Sequence, residues 1–173
     1  GENPMNRLRL LALGALCTLM VSAAVPLREA SALPLALTGN GAGSETDDCA
    51  SASTATCSGT LNAGLLAKFI GKSTMTLDLT IVVAGADNGS GGTCTTATGT
   101  GQINTANKST ITLSTVGAIC NVGSAGSQRT YNATFFISGG TARFPNAAGT
   151  GLFVASIDGS GNAIVTLSGG FIK

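Results

Sequence analysis

The stretch STMTLDLTIVV (residues 73–83) decides the fold class, because apolar and polar residues alternate along it. The apolar residues at every second position are Met75, Leu77, Leu79, Ile81 and Val83. A β-strand points successive side chains to opposite faces, whereas a helix repeats about every 3.6 residues. The stretch therefore predicts a half-buried strand with one apolar face and one polar face.

The same alternation returns further along the chain. It covers residues 109–115, 130–138, 151–157 and 163–172. Residues 61–70 fit a helical turn about as well as a strand, and we predict a strand because Gly64 and Gly71 weaken a helix. These patterns predict a succession of strands without intervening helices.

Glycine-rich segments separate the predicted strands. They cover residues 87–92, 123–126 and 158–162. Glycine, asparagine and aspartate accept the positive φ angles of tight turns, so neighbouring strands are expected to run antiparallel. Strands that each carry one apolar face must bury those faces together. We therefore predict an all-β domain, an antiparallel β-barrel, with a β-sandwich as the alternative.

The N-terminal region is typical of a secretory signal peptide. Arg7 and Arg9 precede an uncharged run over residues 10–26, and the small-residue triplet Ala-Ser-Ala follows at 30–32. The run is shorter than the roughly 20 residues that a membrane-spanning helix needs. We predict cleavage after this triplet, with a second possible site at 22–24. The mature protein is expected to be secreted, extracellular or periplasmic, in a bacterium, without a permanent membrane anchor.

Composition divides the chain into three parts. Residues 1–32 are assigned to a tag and signal peptide, 33–56 to a flexible leader without apolar periodicity, and 57–173 to a single barrel domain. From residue 33 onward there are six basic and six acidic residues, so the net charge is zero. Without a basic excess, nucleic acid is not an expected partner. A neutral surface rich in Thr, Ser and Asn tolerates self-association.

Four cysteines remain after the predicted cleavage, namely Cys49, Cys57, Cys94 and Cys120. An even number in an exported domain predicts two disulfides. Three pairings are possible, and we favour Cys49 with Cys57 and Cys94 with Cys120 because each closes a local segment. The chain has no histidine and no CxxC spacing, so we expect neither a metal site nor a histidine-dependent catalytic triad. No cofactor is expected.

One segment near the C-terminus resembles a known family. The turn GGTARFPNAAG (residues 139–149) precedes TGLF (150–153) and a hairpin into IVTLSGGF (164–171). The turn resembles the Gly-Gly-Thr-Gly-x-Phe-x-x-Ala-x-Gly turn of the allene oxide cyclase and dirigent type of β-barrel. The segment also resembles small secreted bacterial proteins that carry this turn.

The resemblance implies an antiparallel barrel in which Phe144 plugs one end and residues 147–149 let the next strand pack closely. Ala142 stands where the family turn has its third glycine. The acidic and histidine or tyrosine residues that catalytic members place inside the barrel are not matched in this sequence. The fold is therefore expected to carry over without the activity.

Four residues are candidate ligand-binding residues: Arg143, Phe144, Tyr131 and Asp78. Arg143, beside Phe144, either binds an anionic group at the barrel mouth or bonds nearby carbonyl groups as an ordinary turn arginine. Tyr131 alternates with Phe135 and is either a core residue or a catalytic acid. Asp78 is either a solvated side chain or one half of a carboxylate pair. No catalytic residue is assigned.

We predict a secreted, non-catalytic barrel whose interior binds a small apolar molecule. One alternative is a cell-surface or matrix protein that assembles edge to edge, with the leader as a donated strand. The other is a cyclase or isomerase that acts in the barrel cavity. A continuous cavity favours the first or third hypothesis, open strand edges favour the second, and carboxylates that face the cavity favour the third.

Overall fold

The computed structural model describes residues 35–49, 55–82, 86–87, 93–122 and 128–172, and nearly all of them belong to nine β-strands. In chain order these are β1 Leu35–Asp47, β2 Thr56–Ala67, β3 Gly71–Val82, β4 Ala86–Asp87, β5 Thr93–Thr105, β6 Thr110–Asn121, β7 Gln128–Gly140, β8 Ala148–Asp158 and β9 Asn162–Ile172. The predicted signal peptide and its cleavage sites lie outside the described residues. In the part of the chain that is described, no helix has the length and apolarity needed to cross a membrane.

Eight of the strands form a closed antiparallel barrel. Their order is β3-β2-β1-β9-β8-β7-β6-β5, and β3 pairs with β5 to close the circle. The two-residue β4 pairs with the beginning of β5. Each barrel strand is hydrogen-bonded on both sides, which removes the free edges that an open sheet would present. The predicted antiparallel barrel is confirmed, and the sandwich alternative is wrong.

The two ends of the barrel differ in composition. At the first end, β1 finishes at Asp47 and β7 begins at Gln128, and both disulfides lie there. We call it the disulfide end. At the opposite end, β7 finishes at Gly140 and the turn containing Phe144 follows. We call it the plug end, because the Phe144 side chain is buried there.

The disulfides connect neighbouring strands. Cys49, just after β1, is bonded to Cys57 of β2. Cys94 of β5 is bonded to Cys120 of β6, the residue directly opposite it in the strand register. The favoured pairing is therefore confirmed. Two disulfides are compatible with an oxidising compartment.

The barrel interior is a packed core. The alternation predicted for β3 is confirmed, since Met75, Leu77, Leu79 and Ile81 are buried and the residues between them are exposed. The largest fully buried side chains are Tyr131, Phe135, Phe144 and Phe153. Burial of this apolar area, at about 25 cal/mol per Å², is the main stabilising contribution to such a fold. An eight-stranded barrel has an interior just wide enough for side chains to fill it.

Strand β1 corrects the predicted domain boundary. Residues 33–56 were expected to form a flexible leader, yet Leu35–Asp47 is a barrel strand paired with both β2 and β9. Several of its inward positions are glycines, so the sequence shows no apolar alternation there. A Cβ atom on Gly43 would lie 1.8 Å from the Asn62 carbonyl oxygen, so the close approach of β1 to β2 requires glycine. The domain therefore begins before residue 57, and β1 is not available as a donated strand.

Candidate functional site

A pocket opens at the disulfide end and is the candidate functional site. Its volume is about 320 Å³. The described residues around it come from five strands and from the segment just after β1: Cys49, Cys57, Ile81, Val82, Thr93, Thr95, Ile119, Asn121 and Arg129. Ile81 and Ile119 are buried and form an apolar floor, whereas Thr93, Asn121 and Arg129 give the rim polar groups. We call this site the mouth pocket.

Arg129 connects β7 to β1 across this end of the barrel. Its Nη2 atom lies 2.6 Å from Glu45 Oε2, and its Nη1 atom pairs with Asp47 Oδ2. Strands β8 and β9 stand between β7 and β1 in the barrel wall, so the guanidinium spans the opening. We call Glu45, Asp47 and Arg129 the mouth ion cluster. It links β1 to β7.

Glu45 is the most buried member of the mouth ion cluster. Its side chain is 1% exposed, and its backbone N–H donates to Gly161 O at 2.7 Å. Its second carboxylate oxygen, Oε1, is buried, and among the described residues none bonds to it. Burial raises the pKa of Glu45, against the opposing attraction of Arg129. The negative charge of the neighbouring Asp47 carboxylate acts in the same direction as burial and also raises the pKa of Glu45.

The pKa of Asp47 is shifted in the opposite direction to that of Glu45. Desolvation opposes its ionisation, but the hydrogen bond from Arg129 and one from the Cys49 backbone N–H outweigh it and lower the pKa of Asp47. The same bond raises the pKa of Arg129 in spite of its own desolvation. With both carboxyl groups ionised the mouth ion cluster carries one net negative charge.

Tyr131 lies one inward position deeper than Arg129 on β7. Its hydroxyl donates to Thr115 Oγ1 at 2.8 Å, and its ring meets the Phe153 ring edge to face at 5.5 Å between centroids. Burial raises the pKa of Tyr131, although the bond to Thr115 opposes the shift. The side chain is fully buried, so it forms the core layer below the mouth pocket.

The structure does not bring the four sequence-predicted site residues together. Asp78 lies on the outer wall, where Thr60 Oγ1 donates to it at 3.4 Å. Arg143 and Phe144 lie at the plug end, with the Arg143 guanidinium 5.8 Å from the centre of the buried Phe144 ring. Tyr131 is in the core, and of the four it is nearest in register to the mouth pocket.

Sequence reasoning missed the mouth ion cluster altogether. One signal was present, because Leu37 and Glu45 are separated by an even number of residues and so share a face of any strand that contains both. Arg129 gives no comparable signal, since its position opposite β1 depends on closure of the whole barrel.

Two other grooves lie on the described surface, and both are open to solvent. One, of about 800 Å³, runs past Leu66, Lys72 and Asn104 near the plug end. The other, of about 480 Å³, is a shallow depression on the outer wall over β6, β7 and β8. Although the first is larger, Lys72 is its one ionisable side chain among the described lining residues. Of these three depressions, the mouth pocket is the one bordered by a disulfide and by a residue of the mouth ion cluster, so we treat it as the site.

The chain was compared with known proteins. No family model matches it, and no curated protein or solved structure matches it either. The functional proposal therefore rests on the geometry of the disulfide end.

Proposed function

We propose that this protein is a secreted, non-catalytic β-barrel that binds a small, uncharged, mainly apolar molecule in the mouth pocket. The observation that carries the proposal is the pairing of an apolar floor with a few polar rim groups in one pocket of about 320 Å³. Pockets for small ligands are mostly apolar, hold a few well-placed polar groups, and begin at about 300 Å³. The packed interior directs the ligand to the mouth rather than to the centre of the barrel.

The electrostatics of the rim favour a neutral ligand. Arg129 is already paired with Glu45 and Asp47, so the repulsion between an anion and these two carboxylates would oppose its attraction to the guanidinium. The uncharged rim groups, such as the Asn121 amide, can form hydrogen bonds with a ligand. In the structure the Asn121 amide donates to Thr93 Oγ1 at 3.0 Å. A molecule with an apolar body and one hydroxyl or carbonyl group matches this arrangement.

The walls of the pocket are held in place before any ligand arrives. Cys49 and Cys57 line it as a disulfide, Cys94 and Cys120 cross-link the two strands that carry Thr95 and Ile119, and Arg129 is fixed by two ion pairs. Preorganised walls reduce the entropy lost on binding. This supports a binding role for the disulfide end.

The cyclase or isomerase hypothesis is supported by one observation, since Glu45 and Asp47 face the barrel opening with pKa values shifted in opposite directions. Both carboxylates, however, are bonded to Arg129, and the Glu45 side chain is 1% exposed. An acid or base must reach the substrate proton within hydrogen-bond distance. We therefore prefer the binding function. Edge-to-edge assembly is not favoured, because the eight barrel strands leave no free edge among themselves.

Titration with Nile red, an uncharged apolar dye that fluoresces in apolar surroundings, tests the proposal. Thr93→Phe places a ring in the mouth pocket, and Thr98→Phe places the same ring on the outer face of the same strand. We expect the wild-type protein and Thr98→Phe to bind the dye alike. Thr93→Phe should weaken binding by at least about tenfold. No saturable binding, or equal binding by both variants, would overturn the proposal.

A further inference from the structure

An apolar surface on the outer wall is not part of the mouth pocket. Its members are large apolar side chains that face solvent: Val116 of β6, Phe136 of β7, Leu152 of β8 and Ile164 of β9. Leu152 and Ile164 are 64% and 67% exposed. We call these four residues the wall patch. Isolated exposed apolar residues are common on proteins, but contiguous ones mark interaction surfaces.

The strand register shows that the wall patch is contiguous. Val116 and Leu152 both lie opposite Thr134, one on each side of it. Phe136 is two positions from Thr134 on the same face, which makes it a diagonal neighbour of both. Diagonal neighbours on a sheet face are about 7–8 Å apart, within reach of aromatic and long side chains. Val154 lies between Leu152 and Ile164, because it is two positions from Leu152 on β8 and is a diagonal neighbour of Ile164 on β9.

The wall patch lies on an uncharged part of the barrel. Among the outward-facing side chains that the structure describes on β6 to β9, the one charged group is Asp158, at the end of β8. Its carboxylate accepts hydrogen bonds from the backbone N–H groups of Ser160 and Asn162. By contrast, β3 carries Lys72 and Asp78 on the opposite wall. The uncharged region therefore offers nothing to attract a charged partner.

We propose that the wall patch is the interface of a symmetric homodimer, with a second copy of this chain as its occupant. Charge favours a second copy, because an uncharged wall is best covered by another uncharged wall, and residues 33–173 carry no net charge that would repel two copies. Shape favours it as well. A two-fold interface packs one patch against itself, so a projection on one copy needs a matching depression on the other.

Both shapes are present on this wall. The depression of about 480 Å³ has Gly117, Ala118 and Ala133 among its lining residues, which are small, and Val116 and Leu152 border it. Phe136 projects from β7 at the next outward position after Thr134, which also lines the depression. In the dimer, apolar side chains of each copy fill the depression of the other. The mouth pocket lies at the end of the barrel and stays open in this arrangement.

Sedimentation velocity of the secreted protein over a concentration series tests the proposal. In a two-fold interface, Leu152→Lys introduces one charge from each copy. The cost of desolvating these charges opposes dimer formation. Leu66→Lys is the matched control, since Leu66 is 72% exposed on β2, outside the wall patch. We expect wild type and Leu66→Lys to dimerise alike. Leu152→Lys should raise the dissociation constant at least about tenfold.

Ile164→Lys provides a second variant at an exposed position of the wall patch and should act in the same direction. Unchanged thermal unfolding of the variants at low concentration establishes that each is folded. A wild-type protein that stays monomeric throughout the series would overturn the proposal. So would equal weakening by Leu66→Lys, or a monomer that instead sediments with neutral phosphatidylcholine vesicles in a manner lost in Leu152→Lys.

Discussion

The ring of Phe135 lies over Gly151, so that a Cβ atom on Gly151 would come within 2.7 Å of the ring atom Cε1. The two residues are directly opposite each other on β7 and β8. Gly169 of β9 lies opposite Gly151 and meets the same ring, since its Cβ would lie 2.8 Å from Cζ. One aromatic side chain thus covers two glycines on neighbouring strands. Because Gly151 and Gly169 have no side chains, there is room for the Phe135 ring in the core.

Gly151→Ala should therefore destabilise the protein by about 1–3 kcal/mol, because a methyl group would overpack the core against the ring and the Ser168 carbonyl oxygen. Chemical denaturation measures the change. Gly64→Ala on β2 is the control, since the nearest atom to its added Cβ is 3.9 Å away. It should be neutral or slightly stabilising. Equal losses from both substitutions would show that the ring does not constrain Gly151.

Ala142→Gly should stabilise the protein by about 0.5–1 kcal/mol. Ala142 has φ of 55°, in the left-handed region where a Cβ atom is strained, and glycine removes that strain. Ala42→Gly, at an exposed position in β1, is the opposite control and should reduce the free energy of unfolding by a similar amount. A loss of stability in Ala142→Gly would contradict the strain explanation.

Phe144→Ala should lower the free energy of unfolding by about 3–5 kcal/mol, because it removes a buried ring from the plug end. Arg143→Ala, at the exposed neighbouring position, should cost less than about 1 kcal/mol. Thermal or urea unfolding of the two variants gives the order. A neutral Phe144→Ala would mean that the barrel end closes without the plug. Loss of Nile red binding in Arg143→Ala without loss of stability would place a ligand at the plug end.

The pH dependence of stability should separate Glu45 from Asp47. The pKa of Glu45 is raised above its ordinary value of 4.5, so its stabilising contribution is present below that pH and is lost as pH rises through the raised pKa. The pKa of Asp47 is lowered from 3.8, so its contribution is present above that pH and is lost as pH falls through the lowered pKa.

Urea unfolding from acid to neutral pH measures both effects. Relative to wild type, Glu45→Gln should gain stability progressively as pH rises above about 4.5, because the variant has no buried carboxylate to ionise. Asp47→Asn should be less stable than wild type at neutral pH, and the difference should shrink as pH falls below about 3.8. Curves that remain parallel to wild type at every pH would rule out these assignments.

The fold class was predictable from the sequence because strands such as β3 show a clear alternation of apolar and polar residues. Not every strand shows this alternation equally well. In β3, alternate positions are Met, Leu or Ile against Thr and Asp, so both the strand and its buried face are predictable. In β1, glycine occupies several inward positions and Glu45 another, and the strand looks like a polar leader. Local contrast between neighbouring residues, rather than burial itself, decides what a sequence pattern can show.

The mouth ion cluster depends on a different kind of information. Arg129 and Glu45 are 84 residues apart, and they meet because eight strands close into a circle with a particular register. Neither residue has a neighbour in sequence that suggests its partner. The disulfides were predictable from cysteine number and local spacing, but the pocket between them required the closed barrel.

The pairing of β1 with β9 sets the order in which the barrel can be completed during folding. The other barrel pairings join strands that are successive or nearly so in the chain, whereas this one joins the first strand to the last. Contacts between distant segments form late, because the entropy of loop closure must be overcome first. Until β9 arrives, one edge of β1 is unpaired and open to other chains. Its glycines and polar residues lack the apolar β-forming character of aggregation-prone segments, so the strand that waits longest is poorly suited to mispairing.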